Sequence, residues 1–208
     1  MCGRYFLEDS SELRPIVEEM NRSPLLPLFL KSPGAVVCSG EAAPSRVVPV
    51  IALSRSGKRA VFPMKWGYTV PKPGGGSRLL INARAETAAD KPTFRESWRA
   101  HRCLIPASWY FEWEHLTAAD GKKTIGPKYS IRPEAESVSW LCGLYRMEEG
   151  LPVFVILTRE AGNGTRFIHD RMPLMLPRER ADEWIRPDAD PDKLANEALT
   201  AMFYERNN

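Results

Sequence analysis

Long apolar runs are missing from this 208-residue chain. None approaches the ~20 residues that a membrane-crossing helix needs. The opening Met1-Cys2-Gly3-Arg4-Tyr5-Phe6 has no apolar stretch behind a basic start, so it is not a secretion signal. A cytoplasmic protein without a membrane partner is expected. Paired-cysteine motifs are missing too. The four cysteines, Cys2, Cys38, Cys103 and Cys142, make no CxxC, which removes the zinc-knuckle and thioredoxin-type readings. A reducing cytosol argues against a disulfide framework. Neither a metal nor a cofactor is expected. Repeats, low-complexity tracts and a separating linker are all absent, so residues 1–208 are read as one domain.

What is present is an ordinary globular composition, 43% hydrophobic and 26% charged. A chain of this size buries roughly 70% of its unfolded surface, enough for a real core. The net charge is only +3, from 29 Lys+Arg and 26 Asp+Glu, but it is unevenly spread. Pro44 to Tyr110 holds 12 Lys/Arg against 3 Asp/Glu, a local +9, which leaves −6 for the rest. Such asymmetry points to a basic face for a polyanion, with a solvated surface as the plain alternative. Arg outnumbers Lys 20 to 9, which suits phosphate or carboxylate recognition.

The pattern along the chain predicts an α+β fold: a curled, largely antiparallel, barrel-like sheet with peripheral helices. Helices are expected at Asp9 to Met20, with Asp9 or Ser10 as cap, at Thr93 to Arg102, at Glu179 to Ile185, and at Pro191 to Tyr204 behind an Asp190 cap. Strands are expected at Val47 to Leu53 and Ala60 to Met64, flanking a polar turn. Further strands are expected at Cys103 to Ala107, Trp109 to Trp113, Lys128 to Arg132, Ser137 to Arg146 and Val153 to Thr158. Ser23 to Gly34 is Pro-rich and reads as an extended connection; Pro71 to Ser77 reads as a loop. Cys103 and Cys142 lie in apolar runs and are expected to be buried and inert.

Cys2 has different chemistry. Once Met1 is removed it presents an α-amine of pKa about 7.7–8.0 beside a thiol of pKa about 8.5. Such a 1,2-aminothiol condenses with an aldehyde to an imine, and the sulfur then closes a five-membered thiazolidine. The same residue is equipped to act as an N-terminal nucleophile on an amide. On position alone, Cys2 is simply the second residue. Three further segments weigh against that. In Asn82-Ala83-Arg84-Ala85-Glu86-Thr87, Asn82 and Arg84 share one side if the segment is a strand. In Trp109-Tyr110-Phe111-Glu112-Trp113, Glu112 is set among aromatics, a setting that raises a carboxyl pKa. In Ile168-His169-Asp170-Arg171-Met172-Pro173, His169 stands in a short polar cluster. Taken singly, an ion pair is the better account of Glu112 and a core position the commoner one for His169, with packing open for Trp66 and salt bridges for Arg84 and Arg171.

Together with Met1-Cys2-Gly3-Arg4, Trp66-Gly67, Arg102-Cys103-Leu104-Ile105-Pro106 and Glu112-Trp113, these segments follow one another in an order that resembles the SOS response-associated peptidase (SRAP) family, from Cys2 to about Pro177. The resemblance implies a protein that recognises abasic sites in single-stranded DNA, links to them covalently through Cys2, and removes its own Met1. It implies a catalytic set of Cys2, Asn82, Glu112 and His169, and DNA contacts from Arg4, Trp66, Arg84 and Arg171, with Trp66 as a stacking surface. The implied partner is single-stranded DNA containing abasic sites, and a monomer is expected. An amidohydrolase or peptidase acting on an external amide is the competing reading. The chain departs from the family pattern at Ser39-Gly40-Glu41-Ala42-Ala43-Pro44, which keeps only the Ala-Pro of an Asn-x-Ala-Pro stretch. It departs again at Ser108-Trp109, which replaces a small turn pair.

Overall fold

The structure is a computed structural model that describes residues 2–30, 35–117 and 121–207. In chain order the elements are β1 (Arg4–Leu7), α1 (Arg14–Asn21), α2 (Leu26–Phe29), β2 (Gly40–Ala42), β3 (Val47–Leu53), β4 (Arg59–Trp66), β5 (Tyr68–Pro71), β6 (Ser77–Leu80) and β7 (Asn82–Arg84). There follow α3 (Ala85–Ala88), α4 (Arg95–Ala100), β8 (Arg102–Ala107), β9 (Trp109–Thr117), β10 (Lys123–Pro133), β11 (Ser139–Glu148) and β12 (Leu151–Glu160). The last are β13 (Arg171–Pro173), β14 (Met175–Leu176), α5 (Arg178–Trp184), α6 (Pro191–Asn196) and β15 (Met202–Asn207).

The larger sheet runs β13-β12-β4-β3-β8-β11-β14, and an additional β11–β12 pairing closes its middle five strands into a barrel. All of these pairings are antiparallel except those of β12 with β4 and with β7. A second sheet, β15-β10-β9-β1-β2, is antiparallel throughout. The α+β reading therefore holds. Barrel strands have neighbours on both edges and side chains packed on both faces, so they read as unbroken apolar runs rather than alternating ones. Val47-Val48-Pro49-Val50-Ile51-Ala52 is buried throughout, as is Pro152 to Thr158. Pro49 stands opposite Pro63. Two residues without N–H groups fit only a non-hydrogen-bonded pair, where neither is asked to donate to the other.

Two residues fix the periphery and the seam. The guanidinium of Arg102, almost fully buried, donates to the carbonyls of Trp98 and Arg99 near the end of α4 and of Trp184, Arg186 and Ala189 at and beyond the end of α5. A cation placed at two helix C-termini satisfies orphan carbonyls and meets the negative ends of both dipoles. Gly143 on β11 sits at the seam: a Cβ there would lie 2.5 Å from Ile105 Cδ1 and 2.8 Å from the Val155 carbonyl oxygen.

The sequence expectations need correcting at several ends. The first helix begins at Arg14 rather than Asp9, because residues 11–13 form a turn in which Ser10 Oγ accepts the Leu13 N–H at 3.2 Å. Within the Pro-rich connection, Leu26–Phe29 forms a helical turn, while residues 31–34 lie outside the described residues. Pro71 to Ser77 closes the β5–β6 hairpin, with Gly74, Gly75 and Gly76 all at positive φ. The Asp190 cap is present, its carboxylate accepting from the N–H groups of Asp192 and Lys193, but the helix stops at Asn196. Leu194, Ala198 and Met202 are all buried and spaced by four, which imitates a helix. The chain instead turns out to pair β15 with β10 along six residues. Tertiary hydrogen bonding overrides local periodicity there. No helix among the described residues is long and apolar enough to cross a membrane.

Gly143→Ala should push β11 away from β8 and β12. The expected result is a loss of about 1–3 kcal/mol, the usual cost of overpacking a filled core, read by denaturant unfolding. Gly164→Ala, an exposed position at ordinary φ with nothing within 4 Å of the added Cβ, provides the comparison.

Candidate active site

Four separate segments meet at one end of the molecule. β1 lies between β9 and β2, which carries the start of the chain into the second sheet. Cys2, two residues before β1, is fully buried. β7 runs parallel to β12, with Asn82 beside Ile156 and Arg84 beside Thr158. From there Asn82 Nδ2 donates to the Cys2 carbonyl at 2.9 Å. The Cys2 thiol itself points to the Arg4 carbonyl oxygen at 3.7 Å. Burial pushes its pKa well up, and the nearby Glu112 carboxylate adds to the rise.

Glu112 comes from β9, where alternation places it on the same side as Tyr110. It is 4% exposed, and burial raises its carboxyl above the ordinary range. Asn82 Oδ1 and Tyr5 Oη are also shielded, and neither has a hydrogen-bond partner among the described residues.

His169 precedes β13, and its side chain is 10% exposed. Nδ1 accepts the backbone N–H of Arg171 at 2.9 Å, and the Asp170 carboxylate lies 2.7 Å from the same nitrogen. The first contact needs a lone pair on Nδ1, the second a proton. Burial, with the nearby His115 adding to it, lowers the pKa to about 4. A ring neutral at pH 7 favours the contact with the amide, and Asp170, 80% exposed, is free to swing into water. That arrangement puts the single proton of the neutral ring on Nε2.

A cleft of about 450 Å³ opens over these groups. Arg84, Glu112, His169 and Arg171 line it; Cys2 lies near enough to Glu112 to feel its charge, and Asn82 is bonded to Cys2. Arg171 is held from behind by two 2.8 Å bonds to Glu86 and a 2.7 Å bond to the Thr158 carbonyl, so much of its charge is already met. Arg84 is exposed at the rim.

Arg4 lies apart from the cleft. It is half exposed, paired with Glu41 at 3.1 Å, and it borders a second groove with Arg46 and Lys65. Trp66 requires a correction. It is fully buried, its Nε1 donates to the Ile81 carbonyl at 2.9 Å, and its ring packs against Tyr5 and Phe154. It is a core residue and offers no surface for a base.

Sequence reasoning missed His115, whose ring centre is 4.3 Å from that of His169, and gave no site role to Trp113, which also borders the cleft. Both share a strand face with Phe111, opposite Glu112. A β-bulge between Ile125 and Lys128 of β10 lies opposite the Trp113–His115 stretch of β9. No residue pattern announces that bulge.

Comparison with known proteins gives the following. A family description, SOS response associated peptidase (SRAP), matches residues 1–207. The abasic site processing protein YoqW of Bacillus subtilis is 35% identical over 202 residues, covering 93% of this chain and 84% of that protein. The abasic site processing protein YedK of Escherichia coli is 31% identical over 194 residues, covering 90% of this chain and 81% of that one. The crystal structure of a phage-related protein from Bordetella bronchiseptica superposes with a TM-score of 0.71 at 24% identity, covering 100% of this chain and 94% of that one.

The low pKa of His169 has a thermodynamic consequence. The unfolded histidine takes up its proton near pH 6.5, the folded one only near pH 4. Between those values the unfolded chain binds more protons, so stability rises with pH through that window. NMR titration should place the His169 midpoint near 4, and His169→Gln should remove this part of the pH dependence of unfolding. A midpoint near 6.5 would contradict the described environment.

Proposed function

The chain belongs to the SRAP family, and from that premise we propose that it is an abasic-site protein that crosslinks to single-stranded DNA through Cys2 after removing Met1. The observation that carries this reading is the complete burial of Cys2 close to Glu112, which lines a cleft with His169. The first residues of a domain are ordinarily loose unless something ties them down. Here Asn82 fixes the Cys2 carbonyl from a strand eighty residues away.

The chemistry follows from the groups present. A carboxyl with a raised pKa, as at Glu112, suits proton transfer at the Met1–Cys2 amide and then at the released amine. That amine attacks the aldehyde of an opened abasic sugar, giving an imine and water. The Cys2 sulfur adds to the imine carbon, its proton passes to the nitrogen, and a thiazolidine results. The high pKa of the thiol keeps it protonated until that point, so the proton needed by nitrogen is already in the site. A closed sugar must first open: a base takes the proton of the anomeric hydroxyl while the ring oxygen gains one. His169, neutral at pH 7 with Nδ1 taken by the Arg171 N–H and its proton on Nε2, suits giving that proton to the ring oxygen while water takes the one from the hydroxyl. Asn82 Oδ1, shielded and without a donor, suits the amine or a sugar hydroxyl.

Arg4, Arg84 and Arg171 are the phosphate contacts in this reading. Arg84 is free to give the largest effect, because Arg171 is already neutralised by Glu86 and Arg4 by Glu41. With Trp66 in the core, the aromatic surface at the cleft is Trp113. The family names of the relatives and the basic Pro44–Tyr110 segment support a DNA target over an external amide.

A denaturing gel tests the proposal. Processed protein mixed with an abasic single strand should give a stable adduct without reductant, and an intact strand should give none. Cys2→Ser should lose the adduct, while Cys103→Ser and Cys142→Ser should keep it. Glu112→Gln should retain Met1, read by intact mass. His169→Ala should process normally but crosslink more slowly, by about 10²–10⁴-fold, the usual worth of a general acid or base. A pre-opened aldehyde should restore its rate. A stable adduct from Cys2→Ser, or none from the native chain, would overturn the reading in favour of external amide hydrolysis or simple binding.

A further inference from the structure

We propose that the outer face of the second sheet carries a separate docking trough for an extended peptide segment rich in arginine or lysine, supplied by a partner protein. The trough has a volume of about 650 Å³ and lies over β10, between β1 and β9 on one side and β15 on the other. Small side chains create it. Ser130 on β10 stands in register with Phe111 on β9 and with Glu205 on β15, so larger groups rise on both sides of a serine floor. Trp109 stacks flat on Phe6 at 4.6 Å and meets Phe111 edge-on at 6.5 Å. Phe203, on the facing wall, is 42% exposed. Along β9, Trp109 and Phe111 alternate with Glu112. The trough therefore backs onto the cleft without sharing its chemistry.

Charge selects the occupant. Glu8, Glu12 and Glu205 line the trough against one cation, Arg132. Among the described residues none of these three carboxylates joins an ion pair. Glu12 accepts a hydrogen bond from the Ser137 hydroxyl at 2.8 Å. Aromatic faces beside unpaired carboxylates attract cations through both the ring quadrupole and net charge. The face already seats two: Arg132 lies 5.1 Å over Phe203, and Lys128 lies 3.7 Å over Phe111. A nucleic-acid strand would find rings to stack on, but it would meet three carboxylates and one guanidinium, and its phosphates would be repelled.

A peptide fits better than a small free cation because β15 is the edge strand of this sheet. An extended segment added beyond β15 would bring alternate side chains onto the trough face, next to Phe203, Glu205 and Asn207. Trp109 also has an indole N–H shielded from solvent with no acceptor among the described residues. That costs stability, a cost that packing alone gives no reason to bear.

The test is a heteronuclear NMR titration of the full chain with three probes: a short peptide alternating Arg and Ser, the same peptide with Glu for Arg, and oligothymidine. The Arg peptide alone should shift amides of β9, β10 and β15. Glu8→Lys with Glu205→Lys should weaken it by about tenfold, and Trp109→Ala by about fivefold. If Trp109→Ala fails to fold, the charge reversals on exposed positions decide. The proposal is overturned if the Arg peptide does not bind, if its shifts fall elsewhere, if charge reversal leaves its affinity unchanged, if the Glu peptide binds as well, or if oligothymidine occupies these strands.

Discussion

One strand bears the geometry of the whole molecule. β12 hydrogen-bonds to β11, β13, β4 and β7, two of them in parallel, at different points along its length. Each partner delivers a residue at a fixed register: Trp66 beside Phe154, Asn82 beside Ile156, Arg84 beside Thr158, Arg171 beside Glu160. A strand with so many partners cannot slip. A shift of one residue would turn every side chain to the opposite face and break several ladders at once. The spacing of the cleft residues is thus a property of backbone pairing, and the side chains inherit it.

Within that frame, burial acts on three titratable groups in one direction. It raises Cys2 and Glu112 and lowers His169, so each environment favours the uncharged form. Among the charged side chains that line the cleft, Arg84 and Asp170 are exposed, while Arg171 is nearly buried and bonded to Glu86. Arg102 makes the opposite use of burial. Its charge is kept in the interior by surrounding it with carbonyl oxygens.

The sequence was most legible where one force dominates. The apolar run Val47 to Leu53 and its partner β4 were readable because complete burial leaves a continuous hydrophobic string. The Asp190 cap was readable because its chemistry is local. The grouping of Cys2, Asn82, Glu112 and His169 came from motif order, since no periodicity relates residues so far apart. What escaped was set by long-range pairing. Met202–Asn207 joined β10 although its apolar spacing continued that of a helix. Trp66 looked like a surface ring until the closure of β12 against β4 enclosed it. His115 meets His169 from a separate segment, a contact no local pattern encodes.

The burial of Cys2 has a consequence in time as well as in chemistry. Peroxides and alkylating agents attack thiolates that they can reach, and Cys2 offers neither ionisation nor access. Cys38, exposed at the surface, meets such reagents first. The thiol at this end of the chain is therefore slow to be oxidised. A molecule folded in this way can wait through oxidising episodes with its thiol intact, and its working lifetime is set by how often the N-terminal segment opens rather than by the intrinsic reactivity of sulfur.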